Sequence, residues 1–220
     1  MRNMKFMLML VLSIFVFDAG AVAAKKPTRA AEKNLKSKSI KKARKEAKNL
    51  IRKGYEVAPG ALPLDKQVEI SWTRSVEMDE KTGYPKYIVA NGNAVGETVT
   101  AAKMQANEVA KFELAGTIAT NVAALIEGNI ANAQLNTQEA ASVTEVAGAV
   151  KNLIVQEIGR VIPLLEIYKK MDNKNVEVEI RIAYNSEMAV EAAKKVLRKE
   201  LKEKTEILQE KLDKLMKFDK

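Results

Sequence analysis

Residues 87–122 read YIVANGNAVGETVTAAKMQANEVAKFELAGTIATNV, and the change of period inside this stretch decides the fold class. Residues 86–95 carry the β-branched and apolar spacing of a strand, whereas residues 96–128 carry helical spacing. The stripe expected to be buried on that helix is Ala102, Ala106, Val109, Ala110, Leu114, Ile118, Val122 and Leu125. Its alanines allow a close approach to a sheet. Gly92 and Gly96 read as a bulge followed by a helix start. Neither a dinucleotide fingerprint nor a P-loop lysine accompanies them, so they do not point to phosphate binding.

Upstream, Val68, Ile70 and Trp72 alternate within residues 67–78, and the turn residues DEKTG follow at 79–83. This predicts a hairpin whose second strand is residues 86–95. Downstream, Asn129, Asn132 and Asn136 lie in a connection. Asn136 with Glu139 three residues later predicts a capping box opening a second helix that turns Ala140, Val143, Val146, Ala147, Val150, Leu153 and Ile154 inward. Residues 158–169 become β-like, with Pro163 at an edge or bulge position. After a turn at 171–175, Val176, Val178, Ile180, Ile182 and Tyr184 alternate with Glu177, Glu179, Arg181 and Ala183, the pattern of a strand with one apolar and one polar face. Asn185 or Ser186 then caps a helix running to about residue 218, with Met188, Ala192, Val196 and Leu197 expected inside. These elements predict an α+β fold of order ββααββα, a four-stranded antiparallel sheet packed on helices with a long charged C-terminal helix.

The charge is unevenly distributed. The 220 residues hold 37 Lys and Arg against 28 Asp and Glu, a net +9. Residues 25–53 alone contain 13 basic and two acidic side chains, a net +11, and residues 54–220 carry a net −3. Ile40, Ala43, Ala47, Leu50 and Ile51 recur at helical spacing in the basic segment, and Gly54 stops it. This predicts a basic amphipathic helical arm over 25–64, ended by the Pro/Gly linker YEVAPGALPL at 55–64, before a body at 65–197 and a helical extension at 198–220. The candidate anion-binding residues of the arm are Lys41, Lys42, Arg44, Lys45, Lys48, Arg52 and Lys53.

Residues 1–24 read as a secretory signal. Arg2 and Lys5 precede an apolar run from 6 to 17, and Ala21, Val22, Ala23 and Ala24 offer a peptidase site after Ala23 or Ala24. Twelve apolar residues rise only about 18 Å as a helix, short of the roughly 30 Å hydrocarbon core. Exported proteins rarely meet nucleic acid, so the arm points to lipid head groups or lipopolysaccharide phosphates, with a solvated tether as the other reading. The expected location is the periplasm or outer-membrane periphery of a Gram-negative bacterium.

Cysteine and histidine are both absent. This removes disulfides, thiolate nucleophiles, the usual zinc sites and every Ser-His triad. Carboxylate chemistry remains, and its candidates are the pair Glu177 and Glu179 or a site built from Glu166 with Glu179. Solvation of a strand face explains the first pair without catalysis.

The stretch at 87–122 and the later NKNVEVEIRIAYNSEMAVEAAKKVL at 173–197 carry a fold-level resemblance to the small envelope lipoprotein family that includes flagellum-associated outer-membrane and basal-disk proteins. From APGALPL at 58–64 through AYNSEMA at 183–189 the chain also resembles uncharacterised exported proteins of Gram-negative bacteria. The lipoprotein resemblance covers about residues 65–197. It implies a small α+β domain that oligomerises in the envelope, with no catalytic residues; no cofactor is expected either, since the chain lacks the residues that would conventionally hold one. The acylated cysteine of that family is missing here, so attachment would fall to the basic arm. The resulting expectation is a non-catalytic exported structural or assembly protein, peripheral to an anionic membrane surface and partnered by itself or by other envelope proteins, with no nucleic acid. The alternative is a soluble periplasmic binding module for an acidic ligand or peptide.

Leu201, Leu208 and Leu215 recur every seven residues with Leu212 between them, which offers a self-association seam. Replacing Leu208 and Leu215 with Asp puts charge on that seam, and sedimentation equilibrium is expected to show the oligomer dissociating. A monomeric wild type refutes the seam.

Overall fold

The computed structural model describes residues 29–80, 82–129 and 151–204, together with residues 136, 137, 139, 141, 145 and 214. The elements are α1 (Arg29–Arg52), α2 (Leu64–Ser75), β1 (Tyr87–Gly96), α3 (Val99–Asn129), α4 (Lys151–Glu157), β2 (Ile162–Lys170), β3 (Val176–Asn185) and α5 (Ser186–Lys204). The three strands form one antiparallel sheet of order β1-β3-β2. The chain is thus α+β, but the sheet has three strands and not four, and the order is not ββααββα.

The missing strand is residues 67–78, of which 67–75 belong to α2. Leu64, Gln67, Val68 and Ser71 are the buried residues, a spacing of three, one and three that only a helix places on one face. Ile70, an inward residue on the strand reading, is 41% exposed. The alternation of Val68, Ile70 and Trp72 is too short to separate the two periods, and the deciding residue, Leu64, lies just outside it. Pro63 fits this start, since it stands before the first helical turn, where no intrahelical N–H is needed. The turn at 79–83 does form: Gly83 adopts φ +75° and its N–H donates to the Asp79 carbonyl at 2.8 Å. The strand before the turn is reduced to a single bridge between Met78 and Pro85.

The central strand β3 pairs along its length with β1, from Tyr87 opposite Asn185 to Gly96 opposite Val176. Its other neighbour, β2, shifts register between Pro163 and Leu165, because proline cannot donate to the ladder. The outer edge of β2 is covered. Glu56 and Tyr168 exchange backbone bonds at 2.8 and 2.9 Å, and the Glu166 N–H donates to Gln67 Oε1 at 2.8 Å.

One face of the sheet holds the main core. Val176, Val178, Ile180, Ile182 and Tyr184 meet α3, α4 and α5, with Ile154 and Leu197 fully buried among them. The Thr98 hydroxyl caps α3 by accepting from the Ala101 N–H at 3.1 Å. The α3 stripe advances four residues at a time through Ala102, Ala106, Ala110, Leu114, Ile118, Val122 and Ile126. Val109 lies off it, 46% exposed, and the Leu125 side chain is outside the described residues. Alanines occupy the half of α3 over β1 because the two backbones nearly touch. A Cβ on Gly92 would sit 1.9 Å from the Ala106 carbonyl oxygen, and one on Gly96 2.8 Å from the Ala102 nitrogen. The glycines therefore set the helix-to-sheet distance and are not a bulge.

The capping box is present: the Asn136 N–H donates to Glu139 Oε2 at 2.9 Å and the Glu139 N–H to Asn136 Oδ1 at 2.8 Å. The inward positions Ala140, Val143, Val146, Ala147 and Val150 lie outside the described residues. Asn185 caps α5, accepting from the Met188 N–H at 3.1 Å. The buried residues of α5 are Ala189, Ala193, Val196 and Leu197, whereas Met188 is 51% exposed. The inward face is therefore displaced by one residue from the expected Met188 and Ala192.

Gly92→Ala is expected to lower stability by at least about 2 kcal/mol, since the new Cβ meets backbone atoms that cannot rotate away. Val109→Ala, on the exposed side of the same helix, is expected to cost under about 0.5 kcal/mol. Urea unfolding of the two variants checks the contrast.

Candidate anion-binding surface

Helix α1 runs 24 residues and is docked on the body, not held apart from it. Ser39, Ala43, Ala47 and Leu50 are buried, and the three apolar ones join Tyr55, Leu64, Val68, Leu165 and Ile167 in a second apolar cluster on the opposite face of the sheet. The inward residues are small, so α1 and α2 pack closely. Helices thus cover both faces of the sheet.

The seven candidate cations Lys41, Lys42, Arg44, Lys45, Lys48, Arg52 and Lys53 are all exposed. At 100° per residue, Lys38, Lys41, Lys45, Lys48 and Arg52 fall in one row directly opposite the buried stripe. The row is about 21 Å long at 1.5 Å per residue. Among the described residues none of these five, nor Lys42, Arg44 or Lys53, lies within 4 Å of a carboxylate oxygen; the ion pairs join other residues. Lys42 Nζ sits 5.4 Å from the centre of the Trp72 ring. Arg52 Nε donates to the Lys48 carbonyl at 3.4 Å and its Nη2 to Asn49.

Glu46, the one acidic residue between 33 and 53, points inward. Its Oε1 accepts from Arg181 Nη2 at 2.8 Å, and its Oε2 accepts from the Trp72 indole N–H. Arg181, with its side chain 12% exposed, also donates to Asn91 Oδ1 at 2.7 Å, Ser71 Oγ at 3.0 Å and Glu179 Oε1 at 3.4 Å. One guanidinium thus ties together α1, α2, β1 and β3. The sequence signal for this cluster was the solitary acid one residue before the buried Ala47, and it was missed because the polar face of β3 was expected to face water.

Beside the cluster, Glu177 accepts from Lys169 Nζ at 2.6 Å and Asn93 Nδ2 at 2.9 Å. The Lys169 bond, then the Asn93 bond, hold its carboxyl at about 2, well below the ordinary 4.5. Burial, followed by the Glu177 hydrogen bond, raises the Tyr55 phenol, and Lys169 Nζ lies 4.9 Å from the centre of the Tyr55 ring. Burial raises Glu179 against the pull of Arg181. Glu177 and Glu179 are therefore structural partners in a covered interface. Glu166 and Glu179 cannot act together, because Glu166 pairs with Ile180 and so shares the α3 face, where Lys103 Nζ holds it at 2.7 Å. Glu179 is on the other face.

Of the seam residues, Leu201 lies in α5 with its side chain outside the described residues, and Leu208, Leu212 and Leu215 lie outside them entirely. Among the described residues there is no group of three side chains that could hold a metal and no helix long and apolar enough to cross a membrane. Comparison of the chain with known protein families, with characterised proteins and with solved structures finds no significant match.

Because the folded carboxyl of Glu177 titrates at about 2, its contribution is complete above the unfolded value near 4.5 and is lost as pH falls toward 2. Glu177→Gln is expected to destabilise the protein at pH 7 by on the order of 2 kcal/mol, and the gap from wild type should narrow as pH falls from 4.5 to 2.5. Glu179 has the opposite sign: its raised value means that ionisation opposes folding, so Glu179→Gln is expected to cost less at pH 7. Urea titrations of both variants at pH 7, 4 and 2.5 check this.

Proposed function

We propose that this chain is a non-catalytic, exported, envelope-associated structural or assembly protein that lies on an anionic membrane surface through α1. The observation that carries this reading is the row of Lys38, Lys41, Lys45, Lys48 and Arg52, exposed and unneutralised on the side of α1 facing away from the body. A straight row of cations on a docked helix suits a plane of phosphates. Each lysine or arginine near such a surface contributes about 1 kcal/mol, reduced by salt. The net −3 of residues 54–220 favours an orientation with α1 toward the surface and the rest away from it. In an envelope setting α1 would stand in place of an acyl chain, and the leucine seam of the C-terminal helix would join protomers.

Removing the whole segment 25–53 would strip buried residues from the second apolar cluster, so charge reversal is the cleaner test. Lys41→Glu, Lys45→Glu, Lys48→Glu and Arg52→Glu together are expected to weaken binding to vesicles containing anionic phospholipid or lipopolysaccharide by more than about a hundredfold at low salt. All four sites are exposed, so the thermal midpoint should change little. Vesicle binding equal to wild type overturns the proposal.

A further inference from the structure

We infer that α1 engages an anionic phospholipid surface while remaining docked on the sheet, with the Arg181 cluster as the latch that keeps its apolar stripe out of the bilayer. This rests on the surface-binding reading above and specifies its mode. An amphipathic helix that enters a membrane needs its apolar face free. Here Ala43, Ala47 and Leu50 are already spent against Leu64, Val68, Leu165 and Ile167, and the cations point the opposite way. For the stripe to reach lipid, α1 would have to roll by about half a turn. That would also take Glu46 away from Arg181 and Trp72.

The balance favours staying docked. The stripe is mostly alanine and offers little apolar area to a bilayer. Leaving would break the Arg181 bond to Glu46, keep a single carboxylate at 3.4 Å beside Asn91 and Ser71, and expose the apolar surface of Leu64, Val68, Leu165 and Ile167 to water. Ile51 is the one large apolar side chain exposed on α1 among the described residues, and one isoleucine is a weak anchor. Surface charge density, not acyl-chain packing, then sets binding.

The chain has one tryptophan, and Trp72 reports directly on the docked state because its indole N–H is on Glu46. The test uses the mature chain and zwitterionic vesicles with or without 30% anionic phospholipid, some carrying a quencher on the acyl chain. Wild type is expected to sediment only with the anionic vesicles, with Trp72 emission unshifted and unquenched, and to be released by about 0.5 M salt. Arg181→Met, and the milder Glu46→Gln, are expected to raise the salt-resistant fraction severalfold and to make Trp72 emission change on binding. Quenching of wild-type Trp72, or salt-resistant wild-type binding, means that α1 undocks and inserts, which overturns the latch while sparing the surface-binding reading. Absence of wild-type sedimentation with anionic vesicles overturns both. The wild-type arms decide the matter even if Arg181→Met does not fold.

Discussion

The close approach of α3 to β1 is the constraint on which the other packing depends. Gly92 and Gly96 lack the Cβ atoms that would strike the backbone at Ala106 and Ala102, and the alanine half of α3 answers them with the smallest side chains that still build a helix well. With that distance set, the larger residues of the other half, Leu114, Ile118, Val122 and Ile126, lie in the same cluster as Ile154 and Leu197. A helix held so low over an edge strand also covers the central strand, so β3 buries its apolar side along its whole length.

The other side of β3 follows a different principle. Glu177, Glu179 and Arg181 alternate outward from the apolar core, yet they are covered by α1 and α2. Covering charges carries a desolvation cost that only full pairing offsets. Arg181 achieves this with partners from four elements, and Glu177 with Lys169, Asn93 and Tyr55. On the sheet side, the buried apolar share of this interface comes from Leu165 and Ile167 of β2. The layer of α1 and α2 is therefore attached by a small apolar cluster and a polar one. Such an attachment is sensitive to single polar substitutions, since removing one partner leaves the others buried and underpaired.

Docking also sorts the charges of α1. Glu46 is drawn inward, and what remains outside is cationic. A free helix would average these charges around its axis and could turn its apolar stripe toward lipid. The docked helix presents a fixed row instead, which makes the proposed attachment electrostatic and reversible.

By itself the sequence determined the elements whose period is long and clean: α3, β1, β3 and the start of α5, together with the turn at 79–83, the capping box at 136–139 and the segregation of positive charge into residues 25–53. These follow from local sterics and from repeats long enough to separate a period of two from one of 3.6. Only the tertiary structure decided the identity of residues 64–75, where three alternating apolar residues fit either period until Leu64 and Val68 found a common neighbour in α1. The same holds for the purpose of Gly92 and Gly96, which depends on a helix carbonyl fourteen residues away. Whether the charged side of β3 faces water or another layer was also a tertiary decision: a strand's polar alternation records which side avoids the apolar core, and it carries no information on what a distant segment such as α1 will lay across it.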